Sequence, residues 1–288
     1  MKTCVSGSSG FIGKHLTEAL ADKGIDVFAY PRELLTDPLE SARFLEDIKP
    51  DYIFHLGAYG NMFSQQDEDQ MLASNIFGTH ILLQSSEKIP YKAFVYVSTS
   101  SVYGTKDKPM KETDVCDTDT YYGATKLSAE LLCKAFAKKY NKPVTILRPF
   151  SLYGGGEASF RFIPTVIDKI RTGNVLNLEP STNHDWTYVK DFTNACIVVA
   201  EKIQQARGRA INVGTGNQYT NIEVVGKIET IMGKKASIQE TLNMREFKVQ
   251  SWVADNTVIR SLGWKPKMDL ISGLKETINA YTKQESQA

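Results

Sequence analysis

The sequence predicts an α/β protein, a doubly wound parallel sheet followed by a smaller mixed α/β carboxyl-terminal lobe. Three observations predict it. Short β-branched or aromatic runs alternate with helical segments as far as Pro149. Glycines 7, 10 and 13 fall between the first such run and the first helix. After "LYGGGE" the alternation loosens, which marks a second lobe. With 288 residues, 42% of them hydrophobic, the chain can bury a substantial core without disulfides or metals.

Each element follows from its local pattern. "KTCVSG" reads as a strand and "FIGKHLTEALADKG" as a helix ended by Gly24. "DVFAY" (26–30) is the second strand, "PLESARFLEDI" a helix, and "DYIFHLGA" (51–58) the third strand. "EDQMLASNIFGTHILLQSSEK" (68–88) has the spacing of one long amphipathic helix. "AFVYVSTSS" (93–101) is a strand, 121–140 a helix, and "PVTILRP" (143–149) a strand stopped by its proline. A helix near Phe160 to Arg171 comes next, then "HDWTYVKDF" with strand character leading into another helix, the strand "AINVGTG", and the terminal "LGWKPKMDLISGLKETINAYTKQ". The expected division is 1–152 for the first domain, with about 186–215 returning to it, and 153–288 mainly for the second. No repeat or linker separates them, so a shared cleft is expected.

Composition narrows the function. Lys plus Arg number 34 against 33 Asp plus Glu, a net charge of +1, which gives no reason to expect nucleic acid or a membrane surface as partner. Cys4, Cys116, Cys133 and Cys196 are irregularly spaced, as reduced thiols in a cytosol would be. "MKTCVSGSSG" lacks the apolar core of a signal peptide, and no apolar run approaches the roughly 18 residues of a membrane span, so a cytoplasmic location is expected. His15, His55, His80 and His184 form no ligand-spaced cluster with cysteine, so no metal is expected.

In "SGSSGFIGKH", Gly7 permits a tight turn, Gly10 lets backbone approach a pyrophosphate and Gly13 allows close helix–sheet packing, while the helix start offers N–H groups to phosphate. A Walker A loop would need glycine where Ser8 stands and Ser or Thr where His15 stands. Dinucleotide binding is therefore expected. The second strand ends "AYPRE", with a proline where an acid would bind the ribose 2′-OH of NAD(H) and Arg32 next to it. That favours NADP(H), while the nearby Glu33 keeps NAD(H) open. Further on, "YYGATK" places Tyr122 and Lys126 one helical turn apart on one face.

The chain resembles the extended short-chain dehydrogenases/reductases of the nucleotide-sugar epimerase, dehydratase and reductase type. The resemblance rests on "SGSSGFIG", "IFHLGA", "NIFGT", "VYVSTSSVYG", "YYGATK", "LRPFSLYG", "DWTYVKDF" and "LGWKPK", in the family's order and spacing over nearly the whole chain. It implies a Rossmann-type amino domain, a carboxyl lobe holding a nucleoside-diphosphate sugar, and a homodimer through the helices near 68–88 and 121–140. It also implies that Tyr122 transfers the proton at the sugar hydroxyl or ketone, Lys126 binds the nicotinamide ribose, and Thr99 completes the set. A phenol titrates near pH 10, and an adjacent ammonium with the cofactor's positive ring would bring it toward working pH. Tyr121 points away from Lys126 and packs. Cofactor contacts are expected from Gly7, Ser9, Gly10, Phe11, Ile12, Gly13, Arg32, Leu56, Gly57, Ala58, Ser98 and Pro149, with Tyr122 and Lys126.

Departures from the family pattern narrow the chemistry. The dehydratases carry an acid just after the Ser/Thr, where this chain has Ser100 and Ser101, and neither hydroxyl is a general acid for loss of water at neutral pH. The 3,5-epimerising members place a cysteine near the same point, and Cys116 is too far along to stand for it. Hydride transfer at one sugar carbon, C4, remains. Reduction of a 4-keto sugar is placed ahead of 4-epimerisation because Arg32 favours the phosphorylated cofactor and the stretch before "DYIFHLGA" is short. A dinucleotide-binding sensor is the reading from another class. Substrate contacts are expected from Ser100, Phe150, Arg161, His184, Asn212 and Arg245. His184 stands where the family has an arginine, Arg161 and Arg245 are either its replacements or surface ion-pair residues, and Asn212 either meets nucleotide or caps a turn.

Overall fold

A computed structural model describes residues 1–62, 64–241 and 251–285. The amino half runs β1 (Lys2–Ser6), α1 (Phe11–Ala21), β2 (Asp26–Tyr30), a 3₁₀ turn (Arg32–Leu35), α2 (Pro38–Ile48) and β3 (Tyr52–His55). It continues through α3 (Glu68–Met71), a π-helical segment (Leu72–Phe77), α4 (Gly78–Ser85), β4 (Ala93–Val97), a 3₁₀ turn (Ser100–Tyr103), α5 (Tyr121–Tyr140) and β5 (Val144–Pro149). Then come β6 (Ser151–Tyr153), α6 (Phe162–Thr172), β7 (Val175–Leu178), β8 (Asn183–His184), β9 (Trp186–Tyr188), α7 (Val189–Glu201), α8 (Ile203–Ala206) and β10 (Ala210–Val213). The chain closes with β11 (Tyr219–Thr220), α9 (Asn221–Met232), β12 (Ser237–Glu240), α10 (Thr257–Ser261) and α11 (Leu270–Glu285).

Among the described residues, six strands form one parallel sheet in the order β10-β5-β4-β3-β1-β2. Neighbouring strand residues face opposite layers, as the period of two requires. Val5, Phe54, Val95, Leu147 and Ile211 meet α1, α7 and the region of α10 on one face. Cys4, Ile53, Phe94, Tyr96 and Ile146 meet α2, α4 and α5 on the other. Burial on both faces explains why these strands are continuous hydrophobic runs. The carboxyl lobe has its own core, in which Ile163, Val166 and Ile170 of α6 pack with Val224, Val225 and Ile228 of α9 and Leu270 and Leu274 of α11. Among the described residues it also holds the two-stranded pairs β6–β9, β7–β12 and β8–β11.

Side chains set the helix ends. Thr120 accepts the Gly123 N–H (3.1 Å) to start α5, which ends at Asn141 in the left-handed region (φ 54°). Thr220 and Glu223 form a reciprocal capping box at α9.

Two expected elements differ. The helix expected over 68–88 is broken by the π-helical turn Leu72–Phe77, which swings the buried Asn75 toward the loop after β3. The strand expected over 93–101 stops at Val97, because the Thr99 hydroxyl accepts the Ser101 N–H (3.1 Å) and starts a 3₁₀ turn.

Candidate active site

The groove lies at the carboxyl ends of the strands, where β1 and β3 are neighbours and the chain's winding reverses direction. Gly7 (φ +72°) sits so close to the next loop that a Cβ there would stand 2.8 Å from the Gly57 nitrogen. A Cβ at Gly13 would fall 2.0 Å from the Gly7 carbonyl oxygen, so only glycine lets α1 seat under its own loop. Gly10 is the N-cap of α1 and contributes no side-chain cap, which leaves the first N–H groups of the helix to an anion. Ser9 and Gly10 are exposed, and Phe11 and Ile12 are half-buried at that helix start. On the other wall, Ser98 Oγ is buried just past β4 without a hydrogen-bond partner among the described residues. A glycine cradle, an uncapped helix start and an orphaned hydroxyl fit a dinucleotide. Leu56, Gly57 and exposed Ala58 follow β3 along the same edge, and Pro149 ends β5.

Thr99, Tyr122 and Lys126 stand at the ends of adjoining elements. The Thr99 hydroxyl is 3.2 Å from Ser101 Oγ. Tyr122 is half-buried in the first turn of α5, and Lys126, one turn on, is 1% exposed with Nζ 4.3 Å from the centre of the Tyr96 ring. Tyr121 points away from the pair as expected but does not pack: it is 56% exposed and interacts with Glu68.

The electrostatics correct one expectation. Burial pushes the Tyr122 phenol up to about 12, and the cation that opposes this is Arg161, not Lys126. Lys126 is itself pushed down to about 7 by burial, with Cys133 and Glu130 working the other way. Its ammonium lies in the groove floor beside Tyr96 and close enough to His55 to affect that ring.

The residues expected at the substrate end divide. Arg161, the N-cap of α6, donates to the Asn61 carbonyl (2.6 Å), which ties the carboxyl lobe to the loop after β3 and sets its charge beside Tyr122. His184 Nδ1 is 3.0 Å from Ser151 Oγ, and its ring lies 5.0 Å from Trp186. Ser100 is buried (4%), and the Phe150 side chain packs with Val102, Tyr103, Met110 and Ala254 rather than facing the groove. Asn212 is fully buried: its Oδ1 accepts from Tyr103 (2.8 Å) and its Nδ2 donates to the carbonyls of Met110 (2.9 Å) and Asp255 (3.3 Å). No polar atom of that amide remains for a nucleotide, so Asn212 secures the sheet edge. Arg32 is exposed at the head of the turn after β2. Arg245 lies outside the described residues.

Some groups around the site went unread in the sequence. Glu157 follows the glycines after β6, and burial pushes its carboxyl up to about 8, with Arg161 opposing. Buried Asp185 accepts the N–H groups of Thr215 (2.8 Å), Gly216 (3.0 Å) and Ala254 (3.1 Å), pinning the turn after β10. Arg148 of β5 pairs with Glu130 of α5 through two hydrogen bonds (2.9 and 2.6 Å) and donates to Tyr103 (2.8 Å). Long-range pairings of this kind have no local spacing by which a sequence could disclose them.

A parallel sheet of this winding, a glycine-lined cradle and a Tyr–Lys pair beside it define an extended short-chain dehydrogenase/reductase, an enzyme class built on a bound nicotinamide dinucleotide. The chain belongs to the NAD dependent epimerase/dehydratase family, whose model matches residues 3–214. It is 29% identical to a Bacillus subtilis protein described as an uncharacterized UDP-glucose epimerase, over 96% of this chain and 97% of that one. Solved structures resemble it over their full length. A UDP-glucuronic acid 4-epimerase from Bacillus cereus, with UDP-4-deoxy-4-fluoro-glucuronic acid and NAD, is 26% identical with a TM-score of 0.89 over 99% of this chain and 100% of that one. A UDP-glucose 4-epimerase from Thermotoga maritima, with UDP-glucose, is 25% identical with a TM-score of 0.90 over 99% and 100%. Among the described residues no group of His, Cys, Asp and Glu could hold a metal ion, and no helix is long and apolar enough to cross a membrane.

Proposed function

We propose that the protein is a 4-epimerase of a nucleoside-diphosphate sugar, with a uridine diphosphate sugar as the first substrate to test. The observation that carries this reading is the full-length likeness to two 4-epimerases, combined with the absence of an acid at Ser100 and Ser101. This reverses the order expected from the sequence, in which the 4-keto-sugar reductase stood first. Arg32 had tipped that order, yet it is one exposed side chain, and the similar 4-epimerase from Bacillus cereus holds NAD.

A nicotinamide dinucleotide held by the Gly7–Gly13 cradle and Lys126 would supply reversible hydride transfer at C4. The protein's part is proton transfer and orientation. Tyr122 Oη takes the proton of the C4 hydroxyl and gives it back to the C4 oxygen. Thr99 Oγ hydrogen-bonds that oxygen and holds it in line. Lys126, in the groove floor, binds the ribose of the dinucleotide, and Arg161 offsets part of the cost of ionising a buried phenol. Gly7, Gly10 and Gly13 admit the pyrophosphate. Past His184, the pairing of β8 with β11 leads to a polar cavity of about 520 Å³ lined by Asp107, Asn217, Gln218 and Tyr219, which we assign to the nucleotide end of the substrate. Arg32 can meet a 2′-phosphate, so the protein accepts NADP as well as NAD, and Arg32→Ala should weaken NADP alone.

The helices near 68–88 and 121–140 expose Leu72 (37%), Phe77 (63%) and Leu131 (59%), an apolar face suited to a second copy of the chain. Phe77→Glu with Leu131→Glu should convert a dimer to a monomer in sedimentation experiments.

The test of function is to incubate the purified protein with UDP-glucose, UDP-glucuronic acid and other nucleotide sugars, following product configuration and NAD(P)H absorbance separately. Epimer formation with no net absorbance change supports the proposal. Stoichiometric consumption of NADPH with a 4-keto sugar would restore the reductase. Dinucleotide binding without turnover across the panel would favour a sensor.

A further inference from the structure

Beneath the groove runs a connected set of hydrogen bonds that proton transfer at Tyr122 does not use. The Gly57 N–H donates to Ser6 Oγ (3.2 Å), Ser6 Oγ meets His55 Nδ1 (2.5 Å), His55 Nε2 meets Thr79 Oγ1 (2.9 Å), and Thr79 Oγ1 donates to the Asn75 carbonyl (2.7 Å). Counting protons fixes every direction. A carbonyl only accepts, so Thr79 gives Asn75 its single hydroxyl proton and must accept from His55 Nε2–H. His55 Nδ1 is then bare and takes the Ser6 proton, which leaves the Ser6 oxygen to accept from Gly57. The ring is fully buried, and burial followed by the nearby Lys126 pushes its pKa down to about 3, so it stays neutral and holds this one tautomer.

The Asn75 side chain reaches the same loop from the other side. Its Oδ1 accepts from the Tyr59 N–H (2.8 Å), and its Nδ2 donates to the Tyr59 carbonyl (2.8 Å) and to Thr125 Oγ1 (2.9 Å). Thr125 in turn donates to the Tyr122 carbonyl (2.9 Å). One buried residue of the π-helical turn thus holds both margins of the groove, the loop after β3 and the first turn of α5. A π turn inside a helix is often found where a functional site needs a side chain displaced in this way.

We propose that His55, Thr79 and Asn75 form a positioning unit that sets the gap between the Gly57–Tyr59 loop and the Tyr122–Lys126 face of α5. These residues touch neither substrate nor dinucleotide in this role; they act through the backbone of Gly57, Tyr59 and Tyr122. The proposal rests on dinucleotide binding and not on which sugar reaction follows.

The first test needs neither substrate nor cofactor. Nitrogen NMR of the histidines in the wild-type protein should show His55 as the neutral Nε2–H tautomer, without titration between about pH 5 and pH 9. An Nδ1–H tautomer or an imidazolium would overturn the proposal while leaving the proposed function intact. The second test is Thr79→Val against Thr79→Ser. Thr79→Val should raise the Kd for NAD about tenfold or more and slow single-turnover hydride transfer comparably, with the sugar KM within about twofold of wild type, and Thr79→Ser should restore both. A role in packing alone would lower the melting temperature with Kd and hydride transfer unchanged, and that result would sink the proposal. Should Thr79→Val not fold, Asn75→Asp, which keeps the acceptor for Tyr59 and loses both donors, is expected to show the same pair of losses, and normal NAD binding and hydride transfer in it would overturn the unit.

Discussion

At the scale of the residue, the decisive contrast is between two groups one turn apart on α5. Tyr122 is driven toward its neutral form by burial, and so is Lys126, but for one the neutral form carries the proton and for the other it lacks it. Tyr122→Phe removes the phenol proposed to move the proton, and turnover should fall about 10²- to 10⁴-fold with dinucleotide binding retained, measured by product formation and by fluorescence titration. Arg161 stabilises the phenolate. In the proposed epimerisation, oxidation of the C4 hydroxyl would need that phenolate, so its rate would rise with pH through the phenol's apparent pKa. Removing the cation raises this pKa, and Arg161→Ala should move the limb of the pH–rate profile to higher pH by roughly one unit, with Arg161→Lys restoring part of the shift. Tyr122 and Lys126 were legible because four residues make one helical turn, and Thr99 because "VYG" follows it. The influence of Arg161 on the phenol was not legible: 39 positions separate it from Tyr122, and only the return of the carboxyl lobe over the groove brings them together.

At the scale of the element, the central strands were readable from their β-branched runs, and α5 from the helical run that continues past "YYGATK". The π-helical turn was not, since "LASNIF" has the composition of ordinary helix and its irregularity is imposed by Tyr59 and Thr125, far along the chain. "STSS" likewise reads as strand until the Thr99 hydroxyl captures the Ser101 N–H. Side chains reaching between elements account for both differences. The same holds for the join of β5 to α5. Arg148 is 2% exposed, Glu130 is fully buried, and the pair is bidentate, so removing one partner leaves an uncompensated charge in the interior. Arg148→Ala should cost about 3–5 kcal/mol in urea unfolding, whereas Arg148→Met with Glu130→Leu should cost much less.

At the scale of the whole molecule, the buried titrations of Glu157, Lys126 and His55 set how stability follows pH. Glu157 moves from an ordinary 4.5 up to about 8 on folding, so the unfolded chain gives up that proton first and stability falls as pH rises from about 4.5 to 8. Lys126 moves from 10.5 down to about 7, so the unfolded chain keeps its proton longer and stability rises from about pH 7 to 10.5. His55 moves from 6.5 down to about 3, so stability rises from about pH 3 to 6.5 and offsets the Glu157 slope there. Together the three predict for the cofactor-free protein a plateau from about pH 4.5 to 6.5, a shallow dip near pH 7–8 and a rise above it of at most about 1.4 kcal/mol per pH unit. Glu157→Gln should remove the dip and turn the plateau below about pH 6.5 into a rise with pH when melting temperature is followed against pH.

The position of β10 has a consequence for how the chain is made. Its partner β5 is finished at Pro149, but β10 begins at Ala210, after the chain has left the sheet, formed α6 to β9 in the other lobe and returned along α7. Until the ribosome has released those later residues, β5 presents an open row of backbone donors and acceptors to its surroundings. A fragment stopped after residue 152 should therefore aggregate on expression even though it contains the whole glycine cradle, and one extended through Val213 should be the first truncation whose sheet edge is closed. The shortest contiguous piece of the chain that holds all six strands therefore has to carry α6 to β9 of the other lobe with it.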